Sequence, residues 1–140
     1  MSDRVDRLDA LPSGKWKGYF LDDRLEIFGR EGNPRTDVTM DMEFSGDGST
    51  FTASGNDEVG DFQFESGRVI GDKCSFVKRY STHTIAYAGV VTGFHINGWW
   101  AFGQPLRGQL NDEEITKFRS RAMGTFVMWP EQLEENDLLG

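Results

Sequence analysis

Short runs of alternating apolar and polar residues, separated by glycine-containing turns, recur along most of this chain. The clearest run places four apolar residues at every second position: Val38, Met40, Met42 and Phe44. Alternation with period two sends successive side chains to opposite faces, so each run predicts a strand with one buried face. Gly46 and Gly48 follow directly, and glycine supplies the backbone angles that a hairpin turn requires. The chain is therefore predicted to be rich in β-structure.

Eight strands are predicted in sequence order, at 15–21, 38–44, 49–55, 61–65, 68–80, 83–87, 94–102 and 122–129. The pattern predicts a turn at Ser66-Gly67 and a kink at Gly71-Asp72. It also predicts a brief helix, capped by Asn111 or Asp112, in the polar interruption at 104–121. No strand–helix–strand rhythm is present. We therefore expect an all-β, eight-stranded antiparallel up-and-down barrel, with a two-sheet sandwich as the alternative.

Length and charge limit the classes of protein and partner. The 140 residues fit a single domain over 1–140, with the barrel at about 14–130 between a short N-terminal arm and an acidic tail. The net charge of −8 disfavours nucleic acid and anionic membranes as partners, because both carry negative charge.

Cysteine usage and hydropathy indicate a cytoplasmic protein. Cys74 is the only cysteine, so the chain has no intrachain disulfide and no cysteine-cluster zinc site, and we expect this thiol to be buried. Residues 1–12 contain no apolar signal region, and no run approaches the ~20 apolar residues of a membrane span.

Gly14-Lys15-Trp16 opens the first predicted barrel strand. A Gly-x-Trp at the start of eight strands resembles the calycin group of lipocalins, avidins and related small-ligand barrels, and Val127-Met128-Trp129 is similar to the last strand of avidin-like barrels. The resemblance implies a barrel that binds a small molecule, without naming the ligand. It also implies that Trp16 closes the barrel floor and packs against Arg119 or Arg121.

One group of polar residues shares the inward face with apolar neighbours: Lys78, Tyr80, His83 and Tyr87. A two-residue turn at 81–82 would place Tyr80 opposite His83 and Lys78 opposite Ile85. An unpaired buried ammonium is costly, so Lys78 needs a carboxylate, an anionic ligand or a route to solvent. Asp57 or Glu58 is the expected carboxylate partner.

Two interpretations of this group remain open. The side chains form a closed internal network, or they line a cavity and orient a ligand together with Asp57 and Trp100. We favour non-catalytic binding of a small organic, anionic or hydrogen-bond-accepting ligand in the barrel mouth or interior.

The sequence contains few signs of a catalytic, metal or cofactor site. His83 and His95 are the two histidines, and no acidic residues stand at metal-ligand spacing beside them, so no metal site is predicted. No cofactor is predicted either, although a single histidine in a barrel mouth is a possible haem ligand. The chain has no Gly-x-Ser-x-Gly motif. An enzyme that uses His83 as base and Tyr80 or Tyr87 as acid is the third hypothesis.

The second functional hypothesis concerns the outer face of the barrel. Trp99, Val127 and Trp129 are predicted to point outward from adjacent strands, and contiguous exposed aromatic residues usually mark an interface. They predict a protein-interaction or homo-oligomeric assembly module with a packed core. The alternative is that the segment 104–121 folds over these side chains through Ile115 and Phe118.

Overall fold

A computed structural model describes residues 11–23 and 35–133. The predicted N-terminal arm and most of the acidic tail lie outside the described residues, as does most of the polar segment that follows the first strand.

Within the described residues, eight antiparallel strands form a closed up-and-down barrel, which confirms the predicted fold. Each strand pairs with the next one in sequence, and the last pairs with the first. The strands are β1 (Gly14–Asp22), β2 (Arg35–Phe44), β3 (Thr50–Asp57), β4 (Gly60–Ile70), β5 (Lys73–Tyr80), β6 (Thr84–Thr92), β7 (His95–Ala101) and β8 (Gly124–Pro130), and a helix, α1 (Asp112–Arg119), precedes β8. We call the end where β3, β5 and β7 finish the mouth and the opposite end the floor.

Glycine residues permit close contact between neighbouring strands, including β1 and β8, whose pairing closes the barrel. A Cβ atom at Gly18 on β1 would lie 2.2 Å from the carbonyl oxygen of Val127 on β8, which no side chain tolerates. A Cβ at Gly98 on β7 would stand equally close to the carbonyl oxygen of Ala88 on β6. Glycine at these two positions therefore lets neighbouring strands approach each other closely.

The predicted turn at Ser66-Gly67 is wrong. β4 continues through both residues to Ile70, and the register against β5 shifts between Glu65 and Arg68, which marks a β-bulge. Ser66 has a φ of 55° there, and the turn lies instead at Gly71-Asp72, where Gly71 has a φ of 64°. Bulges and turns both use residues that accept positive φ, so composition alone did not distinguish them.

Aromatic rings fill the barrel interior. Phe76 stacks on Tyr87 with ring centroids 4.8 Å apart, and Phe126 meets Tyr87 edge-on at 5.0 Å. Trp16 is buried at the floor, where its indole N–H donates to the carbonyl oxygen of Pro12 at 2.8 Å. The described interior therefore has a continuous apolar core.

Alternation in the predicted strand 94–102 puts Phe94, Ile96, Trp100 and Phe102 on the inward face. Ile96 and Trp100 do fill this face, but Phe94 and Phe102 are exposed. Phe94 and Phe102 lie just beyond the two ends of β7, and alternation in sequence does not reveal where the wall of the barrel ends.

α1 confirms the predicted short helix. The side chain of Asn111 caps it by accepting from the backbone N–H of Glu114 at 2.9 Å. Ile115 and Phe118 pack against small residues on the outside of β6 and β7, including Ala86 and Ala88. The helix has eight residues, and the described parts of the chain contain no helix with the length and apolarity that crossing a membrane requires.

Candidate functional site

The β5–β6 hairpin positions the predicted polar group at the mouth. Lys78 lies opposite Ile85, and the backbone N–H of Tyr80 donates to the carbonyl oxygen of His83 at 2.9 Å, as the two-residue turn predicted. Alternation along β5 then sends Lys78 and Tyr80 inward with Phe76, and all three are buried.

Asp57, at the end of β3, is the partner of Lys78 among the two carboxylates, Asp57 and Glu58, that the sequence offered. Its Oδ2 accepts a hydrogen bond from Lys78 Nζ at 2.7 Å and another from the Tyr80 hydroxyl at 2.6 Å. Its Oδ1 accepts from the backbone N–H groups of Val59 and Gly60, at 2.8 Å and 3.2 Å. The side chains of Lys78 and Asp57 are 2% and 0% exposed. We call Lys78, Asp57 and Tyr80 the ammonium site.

Four aromatic rings surround the ammonium group. Lys78 Nζ lies 4.3 Å from the ring centroid of Phe62, 4.6 Å from that of Phe20, 4.9 Å from that of Tyr80 and 5.9 Å from that of Tyr87. The negative face of an aromatic ring attracts a cation, most strongly where water is excluded. No pattern in the sequence indicated that Phe20 and Phe62 would contact this ammonium group.

Burial controls the pKa values in the ammonium site. Loss of water lowers the pKa of Lys78 to about 8, although Asp57 opposes the shift. Burial also acts to raise the pKa of Asp57, but hydrogen bonds from Lys78 and Tyr80 outweigh it, so this pKa lies below its ordinary value. Burial, reinforced by Asp57, raises the pKa of Tyr80 far above the ordinary range of a phenol. Near neutral pH the site contains an ammonium, a carboxylate and a phenol.

Lys78 retains donor capacity, and its side chain lines a small cavity. An ammonium has three N–H groups, and among the described residues Asp57 Oδ2 is the one oxygen within hydrogen-bond distance of Lys78 Nζ. Lys78 also lines an interior cavity of about 20 Å³, together with Phe20, Phe64, Phe76 and Tyr87. A volume above ~10–15 Å³ holds one water molecule. The described interior thus has room for one water-sized group beside the lysine.

Two predicted site residues lie apart from this network. His83 was predicted to face inward, and this is wrong: it is exposed at the mouth, where its ring stacks on Tyr80 with centroids 4.8 Å apart. It precedes β6 in the turn, so the alternation of that strand does not extend to it. Trp100 is buried, and its indole N–H donates to the carbonyl oxygen of Leu21 at 3.0 Å. It contacts Phe20 edge-on, at 6.0 Å between ring centroids.

In the third hypothesis Tyr80 or Tyr87 would act as the acid beside His83, and both Tyr80 and His83 have other hydrogen-bond partners. The hydroxyl of Tyr80 already donates to Asp57, and His83 shares a 2.9 Å hydrogen bond with the hydroxyl of Thr82. His83 and His95 lie at opposite ends of the barrel. Across residues 11–23 and 35–133, no group of three histidine, cysteine or acidic side chains is placed to hold a metal. Cys74 is fully buried, and burial raises the pKa of its thiol.

The predicted outer aromatic patch is covered. Trp129 is buried and meets Tyr19 edge-on at 6.2 Å between ring centroids, while Val127 is half-buried. Trp99 is half-buried and packs with the residues beneath α1, as the alternative of loop cover predicted. The guanidinium carbon of Arg119 lies 5.1 Å from the ring centroid of Trp99.

The predicted contact between Trp16 and an arginine is wrong. Arg121 donates to the carbonyl oxygens of Phe102 and Gln104 at the mouth, and Arg119 lies over Trp99. Because β8 runs antiparallel to β1, residues that precede β8 lie at the opposite end of the barrel from Trp16.

No known protein family, curated protein or solved structure matches this chain.

Proposed function

We propose that this protein binds a small organic ligand, without catalysis, at the barrel mouth, and that the ligand presents an anionic or hydrogen-bond-accepting group to Lys78. One observation carries the proposal: the buried ammonium of Lys78 has one oxygen partner, and the side chain of Lys78 lines a cavity about the size of a water molecule. Buried donors gain free energy from every acceptor that reaches them, because the alternative is an unsatisfied group away from water.

Access to Lys78 is easiest beside Phe20. Of the four rings around the ammonium, those of Phe62, Tyr80 and Tyr87 belong to buried residues, whereas Phe20 is partly exposed at the mouth. A side chain that contacts solvent changes rotamer at a lower cost than a ring packed on all sides. Rotation of Phe20 would join the small cavity to the mouth.

The packed interior limits the part of the ligand that enters. Pockets for drug-sized molecules typically measure about 300–1,000 Å³, and the cavity beside Lys78 measures about 20 Å³. A carboxylate or carbonyl oxygen would therefore occupy the cavity, while the remainder of the ligand lies across Phe20 and Phe102 at the mouth. Phe102 is an exposed ring that contacts Trp100 edge-on at 5.7 Å between centroids.

Native mass spectrometry of the purified protein, compared with a denatured sample, tests the proposal. We expect a mass excess that disappears on denaturation and that Lys78→Met removes. Methionine keeps the length and apolar contacts of the side chain while it deletes the donor.

Lys15→Met is the matched control. Lys15 pairs with Asp41 on the outer wall, and both side chains are largely exposed, so this variant should keep the mass excess. An apo mass for the unmodified protein, or an excess that survives Lys78→Met, would contradict the proposal.

The second candidate is an assembly or protein-interaction module, which the filled aromatic interior favours. With Trp99 and Trp129 covered, half-buried Val127 is the remaining part of the predicted patch. Under this candidate, sedimentation velocity should show a defined oligomer that Val127→Lys dissociates. A monomer in both samples would exclude self-association through this strand.

A further inference from the structure

A cleft of about 530 Å³ lies on the outside of the barrel, away from the ammonium site. Its base is formed by the outer faces of β4, β5 and the start of β6, and residues 105–107 of the β7–β8 connection overhang it. The volume lies within the range of about 300–1,000 Å³ typical of small-molecule sites. We call this feature the outer-wall cleft.

Arg68 holds the overhang in place. Its guanidinium donates to the carbonyl oxygens of Leu106 and Gly108 and to the hydroxyl of Ser75. These three bonds use both terminal nitrogens and Nε, so Arg68 is a structural cation in this cleft. No motif in the sequence singles out Arg68, which directly follows the Ser66-Gly67 bulge that was predicted to be a turn.

Arg79 and Arg107 supply positive charge that is still available to a ligand. Arg79 pairs with Glu65 through Nε alone, at 2.8 Å, which leaves its terminal nitrogens outside that bond. Arg107 is exposed on the overhang, and no described residue pairs with its side chain. Three arginines against one glutamate make the lining net positive in a protein whose net charge is −8.

Apolar surface lies beside these cations. Val77, Pro105 and Leu106 line the same cleft, and each is half-buried. Thr84 adds an exposed hydroxyl at one side. A molecule bound here would meet guanidinium groups at one end and aliphatic side chains along its length.

We infer that the outer-wall cleft binds a small amphiphilic anion, a phosphate or carboxylate joined to a short apolar chain, through Arg79 and Arg107. Guanidinium groups match the geometry of these anions with paired N–H donors. Val77, Pro105 and Leu106 receive the apolar part, which loses contact with water.

Two other depressions on the described surface contrast with this cleft. A depression of about 690 Å³ across β2, β3 and β4 is lined by Asp41, Glu43 and Glu65 and by no arginine or lysine. Another, of about 540 Å³, combines Arg79 with Asp41 and Asp61. Both depressions would repel an anion more strongly than the outer-wall cleft does.

Isothermal titration calorimetry with octyl phosphate below its micelle concentration, at low ionic strength, tests the inference. We expect saturable binding that Arg107→Gln weakens about fivefold and Arg79→Gln/Arg107→Gln weakens tenfold or more. Octanol and inorganic phosphate should each bind at least tenfold more weakly than octyl phosphate, because each offers only part of the recognised chemistry.

Lys117→Gln is the control for net charge, since Lys117 is an exposed cation on α1 outside the cleft. It should leave the affinity unchanged. Binding that the double arginine variant retains in full would overturn the inference, as would no saturable binding, or equal affinity for octanol or inorganic phosphate.

Discussion

Lys78 and Arg79 are neighbours on β5, yet they meet opposite environments. Lys78 points into the barrel and pairs with Asp57 where both side chains are at most 2% exposed. Arg79 points outward and pairs with Glu65, with side chains 53% and 38% exposed. Two ion pairs of nearly equal length, 2.7 Å and 2.8 Å, therefore differ chiefly in their access to water.

This difference assigns the two pairs different roles. A buried ion pair must recover a large cost of desolvation, so losing either partner leaves an uncompensated charge in the core. An exposed pair is screened by water and contributes little to stability. Lys78 is thus tied to the fold, whereas the terminal nitrogens of Arg79 are available to a ligand at low cost.

The largest expected effect comes from Asp57→Ala, which would leave the ammonium of Lys78 unpaired. We expect a loss of about 3–5 kcal/mol in the free energy of unfolding, measured by urea denaturation. Asp61→Ala, an exposed carboxylate on the same hairpin, should change stability by less than about 0.5 kcal/mol. Equal losses in the two variants would remove the distinction between buried and exposed charge.

A pH series tests the same lysine without removing its partner. The pKa of Lys78 is about 8 in the fold and ordinarily 10.5, so the unfolded chain binds more protons between these values. Stability should therefore rise with pH from about 8 to 10, by on the order of 2 kcal/mol relative to Lys78→Met. The raised pKa values of Cys74 and the buried tyrosines act in the opposite direction. Lys78→Met retains these groups, so the difference in unfolding free energy between the two proteins reports on Lys78. A difference that does not change with pH would contradict the lowered pKa of Lys78.

Arg68→Met tests whether the outer-wall cleft depends on its overhang. Losing the guanidinium bonds to Leu106 and Gly108 should cost about 1–2 kcal/mol and expose the loop. Hydrogen–deuterium exchange should speed up at residues 105–109, while β5 and β6 remain protected. Arg79→Met serves as the comparison, because the side chain of Arg79 hydrogen-bonds to Glu65 and not to the overhang. Unchanged exchange in Arg68→Met would show that other contacts hold the loop.

The smallest effect is expected for Glu65→Gln, which removes the exposed partner of Arg79. Exposed pairs contribute about 0.2–1 kcal/mol, so unfolding by urea should shift only slightly, and less in high salt. A loss approaching that of Asp57→Ala would mean that the outer wall is more shielded from water than its exposure indicates.

Local sequence pattern predicted much of the ammonium site. The alternation along β5 and the two-residue turn placed Lys78 opposite Ile85, which the structure confirms. The cost of an unpaired lysine limited its partner to Asp57 or Glu58, and the structure shows that it is Asp57. The inward position of His83 failed because a turn residue does not follow the alternation of the strand after it.

The sequence by itself determined the barrel: eight alternating runs, their short connections, the helix capped by Asn111 and the inward side of most strands. These features depend on neighbours along the chain, where period and turn chemistry act directly. Only the tertiary structure decided that aromatic rings fill the interior, that α1 covers Trp99, and that Arg68, Arg79 and Arg107 share a cleft. Those outcomes depend on volumes and distances between strands far apart in sequence, and no local pattern encodes them.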